Sequence, residues 1–299
     1  GYITFGEGNC SGLRHYQADS HLYAWLEAKG IDFDLITDRE LHEEGVDSIR
    51  DYKALCTGSH PEYHTPQTLD ALQNYRDQGG RLVYLGGNGF YWKIALSPED
   101  PELIEIRRGE SGIRAWAADP GEYYHSFDGS YGGLWRRNGR PPQLLAGVGF
   151  SAQGKFEGSY YRRTAESRAP DLAWMFEGIE DQEILGDFGF SGGGAAGFEL
   201  DRADVRLGTP EEVRVVASSE NHTSSFVLVP EEMLTHITNW PGEEEQQKLI
   251  RSDIVYFRTP SGGEVFSTGS ITFCGSLPWN DFDNNISRLL ENVIRRFLQ

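Results

Sequence analysis

Cysteine is scarce in this 299-residue sequence: there are three (Cys10, Cys56 and Cys274), and none stands in C-x-x-C spacing. Three cysteines cannot all pair, which excludes a disulfide-stapled scaffold and fits a reducing, cytoplasmic setting. Long apolar runs are missing too. Nothing approaches the roughly 18 consecutive apolar residues of a membrane-spanning helix. Basic residues are few: 27 Lys and Arg face 46 Asp and Glu, a net charge of −19. Nucleic acid and anionic membrane surfaces both require clustered cations, so neither is an expected partner. The chain opens on Gly1-Tyr2-Ile3-Thr4-Phe5 without Met or a signal-peptide pattern, and is read as a piece of a longer protein. N-x-S/T triplets begin at Asn9, Asn221 and Asn285 and are read as chance occurrences.

What is present is an alternation of strand and helix signals in the first third. Tyr2–Phe5 reads as a strand, followed by a Gly-rich turn through Gly12. Leu22, Trp25, Leu26 and Ala28 recur at helical spacing up to Gly30, and Ile31, Phe33 and Leu35 then alternate with acidic residues as a strand. Ala54–Thr57 is a further strand. Thr65-Pro66 opens a helix with proline at its first position, and Arg81–Leu85 is a near-continuous apolar strand of the kind buried on both faces. This order predicts an α/β domain with a doubly wound, mostly parallel sheet. One domain is expected over residues 1–299, with an irregular, β-rich insertion from about 100 to 230. Short β-like runs are expected at Leu144–Phe150, Glu212–Ala217 and Ser225–Val229. Pro260-Ser261-Gly262-Gly263 marks a hairpin, and Asp283 caps a helix with an apolar stripe from Ile286 to Phe297.

In a parallel sheet, ligands collect beyond the carboxyl ends of the strands. Loops 6–12, 58–64 and 86–92 are expected at one such edge, joined by 121–125. A class I glutamine amidotransferase carries a cysteine nucleophile on a sharp turn after a strand. Here Leu85-Gly86-Gly87-Asn88-Gly89 has that setting, but Asn88 stands where the nucleophile would be, and an amide forms no thioester. Phosphate-binding patterns fail as well. Gly6-Glu7-Gly8 departs from G-x-G-x-x-G, and Ser191-Gly192-Gly193-Gly194 has no following Lys-Ser/Thr. No H-E-x-x-H pattern occurs; His60, His64 and His125 are loop histidines, open to either solvation or ligation.

Several stretches together resemble the C-terminal part of the N,N-dimethylformamidase large (beta) subunit family. They are Gly58-Ser59-His60-Pro61-Glu62-Tyr63, Gly133-Leu134-Trp135-Arg136 with Gly139-Arg140-Pro141-Pro142, Gly147–Phe150, Gly197-Phe198-Glu199, Leu207–Pro210, Ser219-Glu220-Asn221-His222, and Gly275-Ser276-Leu277 with Asp283-Asn284-Asn285. The resemblance implies an amidotransferase-like (flavodoxin-like) α/β fold and hydrolysis of a small N-substituted formamide at a mononuclear ferric ion held by two tyrosines and a glutamate. By position it assigns the metal to Tyr63, Tyr23 and Glu122, with Asp128 as an alternative carboxylate, and proton transfer to His125 and Glu220. It also implies a small partner subunit, with a homo-oligomer expected as well. The other reading is a non-catalytic binding or assembly domain that has lost the cysteine nucleophile. Phe90, Tyr91 and Trp92 are expected either as walls of a substrate pocket or as core.

Overall fold

A computed structural model of the protein describes residues 15–100, 102–108, 119, 121–229 and 242–299. The expected strand Tyr2–Phe5, the loop 6–12 and Cys10 lie outside the described residues. In chain order the elements are α1 (Tyr16–Ala28), α2 (Asp38–Glu44), β1 (Leu55–Cys56), β2 (Tyr63–His64), α3 (Pro66–Asp77), β3 (Arg81–Tyr84), β4 (Trp92–Leu96) and β5 (Ile104–Ile106). There follow α4 (Pro142–Ala146), β6 (Gly149–Arg163), β7 (Ala196–Arg202), β8 (Arg214–Glu220), β9 (Val227–Leu228), α5 (Glu243–Leu249), β10 (Asp253–Arg258), β11 (Glu264–Ser267) and α6 (Asn285–Phe297), with short 3₁₀ turns between them.

The main sheet runs β1-β3-β11-β10-β8-β6-β7, with β9 also paired to β6. Within this sheet, among the described residues, parallel pairing is confined to β1, β3 and β11. From β11 onward every neighbour is antiparallel. The sheet is therefore mixed and mostly antiparallel, which corrects the doubly wound, mostly parallel, flavodoxin-like fold expected from the strand–helix alternation. The cause lies in the second half of the chain. The 260–263 turn folds β10 directly back on β11, and β6 is long enough to pair with β7, β8 and β9, so no helical crossover intervenes. A second sheet, β2-β4-β5, lies beside the main one.

Period-two alternation decides which side chains enter which core. Val83, Ile254, Tyr256 and Phe266 face one cluster with Leu22, Trp25, Leu289 and Phe297. Leu82, Tyr84, Val255, Phe257 and Val265 face the other, with Leu41, Leu69, Leu72 and Leu145. Helices α1 and α6 thus cover one face, and α2, α3 and α4 the other. The expected stripe on α6 is buried throughout, at about 1.5–3 kcal/mol for each large apolar side chain. Its cap is Asn284 rather than Asp283, with Oδ1 accepting from Ser287 N at 2.8 Å.

Two local expectations also change. Leu144–Phe150 divides into the end of α4, a left-handed Gly147 and the start of β6, because Pro142 at the first helical position and Gly147 after the last delimit a helix. Among the described residues, Ile31–Ile36 pairs with no strand. Arg81–Leu85 is interior to the sheet as expected, and Leu82 through Leu85 have no exposed surface.

Candidate functional site

The loops after β1 and β3 meet as the strand order requires. Gly87 N donates to Ser59 O (3.2 Å), Phe90 N to Pro61 O (2.7 Å), and Tyr91 N to Glu62 O (3.0 Å). The approach at Gly86 is so close that a Cβ there would lie 2.6 Å from Ser59 O, so only glycine fits. Asp19 on α1 closes the other side, its Oδ1 accepting from Ser59 N (2.7 Å) and Ser59 Oγ (2.8 Å).

Inside this junction is a buried polar cluster. Asn88 has φ 52°, a left-handed conformation that asparagine tolerates better than most residues. Its N–H donates to Asp201 Oδ1 at 2.7 Å, and its Nδ2 donates to Glu62 Oε1 (3.2 Å) and Glu199 Oε2 (3.1 Å). Tyr84 Oη donates to Asp201 Oδ2 at 2.8 Å and accepts from Gly89 N at 2.8 Å. His60 Nε2 lies 2.9 Å from Glu62 Oε2, and its Nδ1 lies 2.9 Å from Gly87 O and 3.6 Å from Glu199 Oε2.

Charges in this cluster are strongly coupled to their surroundings. Burial draws the His60 imidazole down, but the Glu62 hydrogen bond and the Glu199 charge outweigh it, so the group sits above its ordinary value. Burial raises Glu62, yet His60, Arg108 and the Tyr63 hydroxyl together bring it below the usual carboxylate range. Asp201 is buried completely, and that burial overrides its two hydrogen bonds and pushes it up to about 7.

The residues assigned by resemblance occupy several places. Tyr63, 38% exposed, pairs in register with Trp92 of β4 and adjoins Glu62. Glu122, His125 and Asp128 share a single turn. Glu105 holds it, accepting from Ser126 N (3.0 Å), Ser126 Oγ (2.9 Å) and Phe127 N (3.0 Å). Glu122 is ion-paired with Arg107 at 3.1 Å. His125 is buried, and among the described residues neither ring nitrogen has a hydrogen-bond partner; Asp128 Oδ1 is 3.7 Å from Nδ1. Burial lowers the His125 value. Lys93 ties this turn to β4, Nζ donating to Tyr131 O and N to Gly133 O, both at 2.9 Å. Tyr63 and the Glu122–His125 turn therefore belong to the small sheet. Tyr23 is on α1, half-buried, stacked on Phe33 with ring centroids 6.1 Å apart. Burial, and then Asp19, raise its phenol. Glu220 stands at the exposed end of β8, ion-paired with Arg162 in the antiparallel half. Phe90, Tyr91 and Trp92 are core residues.

Sequence alone does not mark Glu199, Asp201 or Tyr84 as site residues, and it marks Asn88 only as the residue in place of a nucleophile. One signal for the acids was available. Glu199 and Asp201 stand at alternate positions of an apolar strand, so both point to one face.

A mixed α/β domain with a buried histidine–carboxylate cluster at its parallel strand ends is thus the class defined by fold and site. The chain belongs to the family described as N,N-dimethylformamidase beta subunit-like, C-terminal, whose model matches residues 4–285. It is 42% identical over 282 residues to the N,N-dimethylformamidase beta subunit of Paracoccus aminophilus, covering 94% of this chain and 37% of that protein. The corresponding subunit of Alcaligenes sp is 41% identical over the same share of each chain. This chain therefore spans little more than a third of the relatives it matches. Among the described residues no helix is long and apolar enough to cross a membrane.

Proposed function

We propose that this chain is the hydrolytic domain of a dimethylformamidase-type amidase, cleaving the C–N bond of a small N-substituted formamide in concert with a second, smaller subunit. The observation that carries the reading is the His60–Glu62–Asn88–Glu199–Asp201 cluster, which fixes the loop leading into Tyr63 at the carboxyl ends of β1 and β3. Membership of the dimethylformamidase family supplies the reaction class.

Amide hydrolysis needs a polarised carbonyl, an activated water and a proton for the departing amine, because an amine anion is too basic to leave. Tyr63 and Glu122, both of the small sheet, would hold a ferric ion, and Tyr23, stacked on Phe33 on α1, is the third ligand that the family resemblance assigns. Phenol and carboxylate oxygens suit a hard cation, and the orphaned nitrogens of buried His125, in the same turn as Glu122, suit a polar guest nearby. When bound, such an ion would supply Lewis acidity toward the carbonyl and lower the pKa of a water. Glu62 and His60 keep the Tyr63 loop in place. His125, whose value burial lowers, is the candidate to take up and return a proton at the substrate, and Glu220 is the further candidate for that role.

The test is metal content, visible absorption and amine release from N,N-dimethylformamide by the protein with its complete polypeptide and partner subunit. Tyr63→Phe is expected to lose the metal and the phenolate absorption while keeping the fold. Wild-type protein that binds no iron on reconstitution and releases no amine would leave the binding or assembly role instead.

A further inference from the structure

Large apolar side chains at a protein surface are ordinary one at a time, whereas a contiguous group of them marks an interaction site. Such a group stands where the β6–β7 and β11–α6 connections meet. Phe188 is stacked on Trp279, with ring centroids 5.8 Å apart, and the Phe190 ring lies 5.4 Å from the same indole. His21 of α1 continues the row, 6.0 Å from Phe190. Phe190 is 63% exposed and Trp279 40%.

Main-chain contacts hold these rings in place. Phe190 N donates to Gly275 O at 2.9 Å and Ser276 Oγ to Phe188 O at 2.6 Å, so the two connections are fastened together. Beyond Trp279 the chain takes three left-handed residues in succession: Asn280 (φ 50°), Asp281 (φ 56°) and Phe282 (φ 64°). Such a run is unfavourable for any residue but glycine, and it persists only where the surroundings impose it. Asn284 does so, with Nδ2 2.8 Å from Trp279 O, 3.1 Å from Leu277 O and 3.2 Å from Ser276 O. Asn280 Nδ2 donates to Asp283 O (2.8 Å) and Ser287 Oγ to Phe282 O (2.7 Å). Rings ordered in advance lose little entropy when a partner covers them, and exposed tryptophan of this kind is a typical interface anchor.

The charge beside the rings is acidic. Asp187 precedes Phe188, and Asp281 and Asp283 follow Trp279, all three exposed. Arg288 Nη2 is 4.0 Å from Asp283 Oδ1, at the outer limit of an ion pair. A second copy of this chain would bring the same carboxylates and a net charge of −19, which opposes self-association here. A guanidinium suits both features of the surface, since it stacks on aromatic faces and pairs with carboxylates. We propose that the Phe188–Phe190–Trp279 row is the surface on which the smaller subunit docks, through a basic, arginine-bearing segment. This rests on the two-subunit part of the function proposed above.

The test is mass photometry of the complete polypeptide with its smaller subunit, diluted from micromolar to nanomolar concentration. Phe190→Ser and Trp279→Ser are each expected to raise the dissociation constant at least about 10-fold. Val205→Ser, nearly as exposed but on the antiparallel half, is expected to leave it unchanged. Asp281→Asn combined with Asp283→Asn keeps the left-handed turn. It is expected to weaken the complex at least about threefold at low salt, with the difference gone at about 0.5 M salt. Smaller losses in either set overturn the proposal, as does a wild-type chain that binds no smaller subunit or pairs only with itself. If circular dichroism shows the serine variants unfolded, the asparagine pair decides. Amine release separates this proposal from the hydrolytic one. A wild-type complex that comes apart in these variants but cleaves no amide removes the hydrolytic role and leaves the docking surface standing; variants that stay assembled overturn the docking surface whatever their activity.

Discussion

His60 Nε2 lies 2.9 Å from Glu62 Oε2 while Nδ1 lies 2.9 Å from a main-chain carbonyl oxygen, that of Gly87. Both contacts are to acceptors, so both ring nitrogens are donors and the pair is an imidazolium facing a carboxylate. Removing the cation leaves a buried carboxylate short of a partner, which costs about 3 kcal/mol in comparable pairs. His60→Gln is expected to lower the urea midpoint accordingly, and the loss should shrink as pH rises. A raised histidine contributes fully below its unfolded value and loses that contribution as pH passes its folded value. A loss that grows with pH would contradict the assignment.

Asp201 gives the same slope by a different route. The unfolded carboxyl ionises near 3.8, whereas burial holds the folded one up to about 7. Between those values the unfolded chain has released a proton that the folded chain retains, so stability falls as pH rises toward 7 and then levels. Asp201→Asn is expected to flatten this part of the profile, measured by denaturation at pH 4.5, 6 and 7.5. Parallel profiles would show that Asp201 does not titrate there.

At Asn88, conformation and hydrogen bonding can be separated. Asn88→Gly keeps the left-handed turn and loses the two amide bonds to Glu62 and Glu199. Asn88→Ala loses the same bonds and adds roughly 1 kcal/mol of left-handed strain. Asn88→Asp places a third carboxylate against two others and is expected to be the least stable at pH 8, recovering in part at pH 5. Calorimetry that ranked alanine above glycine would contradict the strain argument.

Trp25 Nε1 donates to Ser287 Oγ at 2.9 Å, joining α1 to α6 in the core. Ser287→Ala strands a buried N–H, at about 1–3 kcal/mol. Trp25→Phe combined with Ser287→Ala should cost less than the sum of the single changes, because the orphaned donor is gone. Additive costs would mean that the bond contributes nothing.

Burial pushes the Cys56 thiol up to about 12 and Cys274 well above its ordinary value, the latter with help from Asp19 and Cys56. Neither is expected to react with iodoacetamide in native protein at pH 8. Any amine release should survive treatment. Activity lost in step with alkylation of Cys56 or Cys274 would restore a cysteine mechanism.

Local signals were legible where one residue pattern determines the outcome. The α6 stripe, the Pro66 start of α3, the 260–263 hairpin and the buried Arg81–Leu85 strand all follow from side-chain period and turn chemistry. Sheet direction was not legible, because the pairing of β8 with β10 is set by contacts that leave no local period. Ile31–Ile36 shows the limit from the other side: its alternation is that of a strand, but alternation does not supply a neighbour, and among the described residues it pairs with none. At the site, the meeting of loops 58–64 and 86–92 followed from strand order alone. The Glu199 and Asp201 contribution did not, since it comes from a strand more than 100 residues further on.

The position of β3 between β1 and β11 also constrains how the chain acquires its fold. Arg81 and Glu264, side by side in the sheet, are 183 residues apart, and Trp25 waits for Ser287 across 262. During synthesis the first third emerges with an apolar edge whose partner has yet to be made. Non-local pairing of this kind slows folding and leaves strand edges open to other chains. The yield of native protein should therefore depend more on temperature and chaperone supply during expression than on the stability of the finished domain.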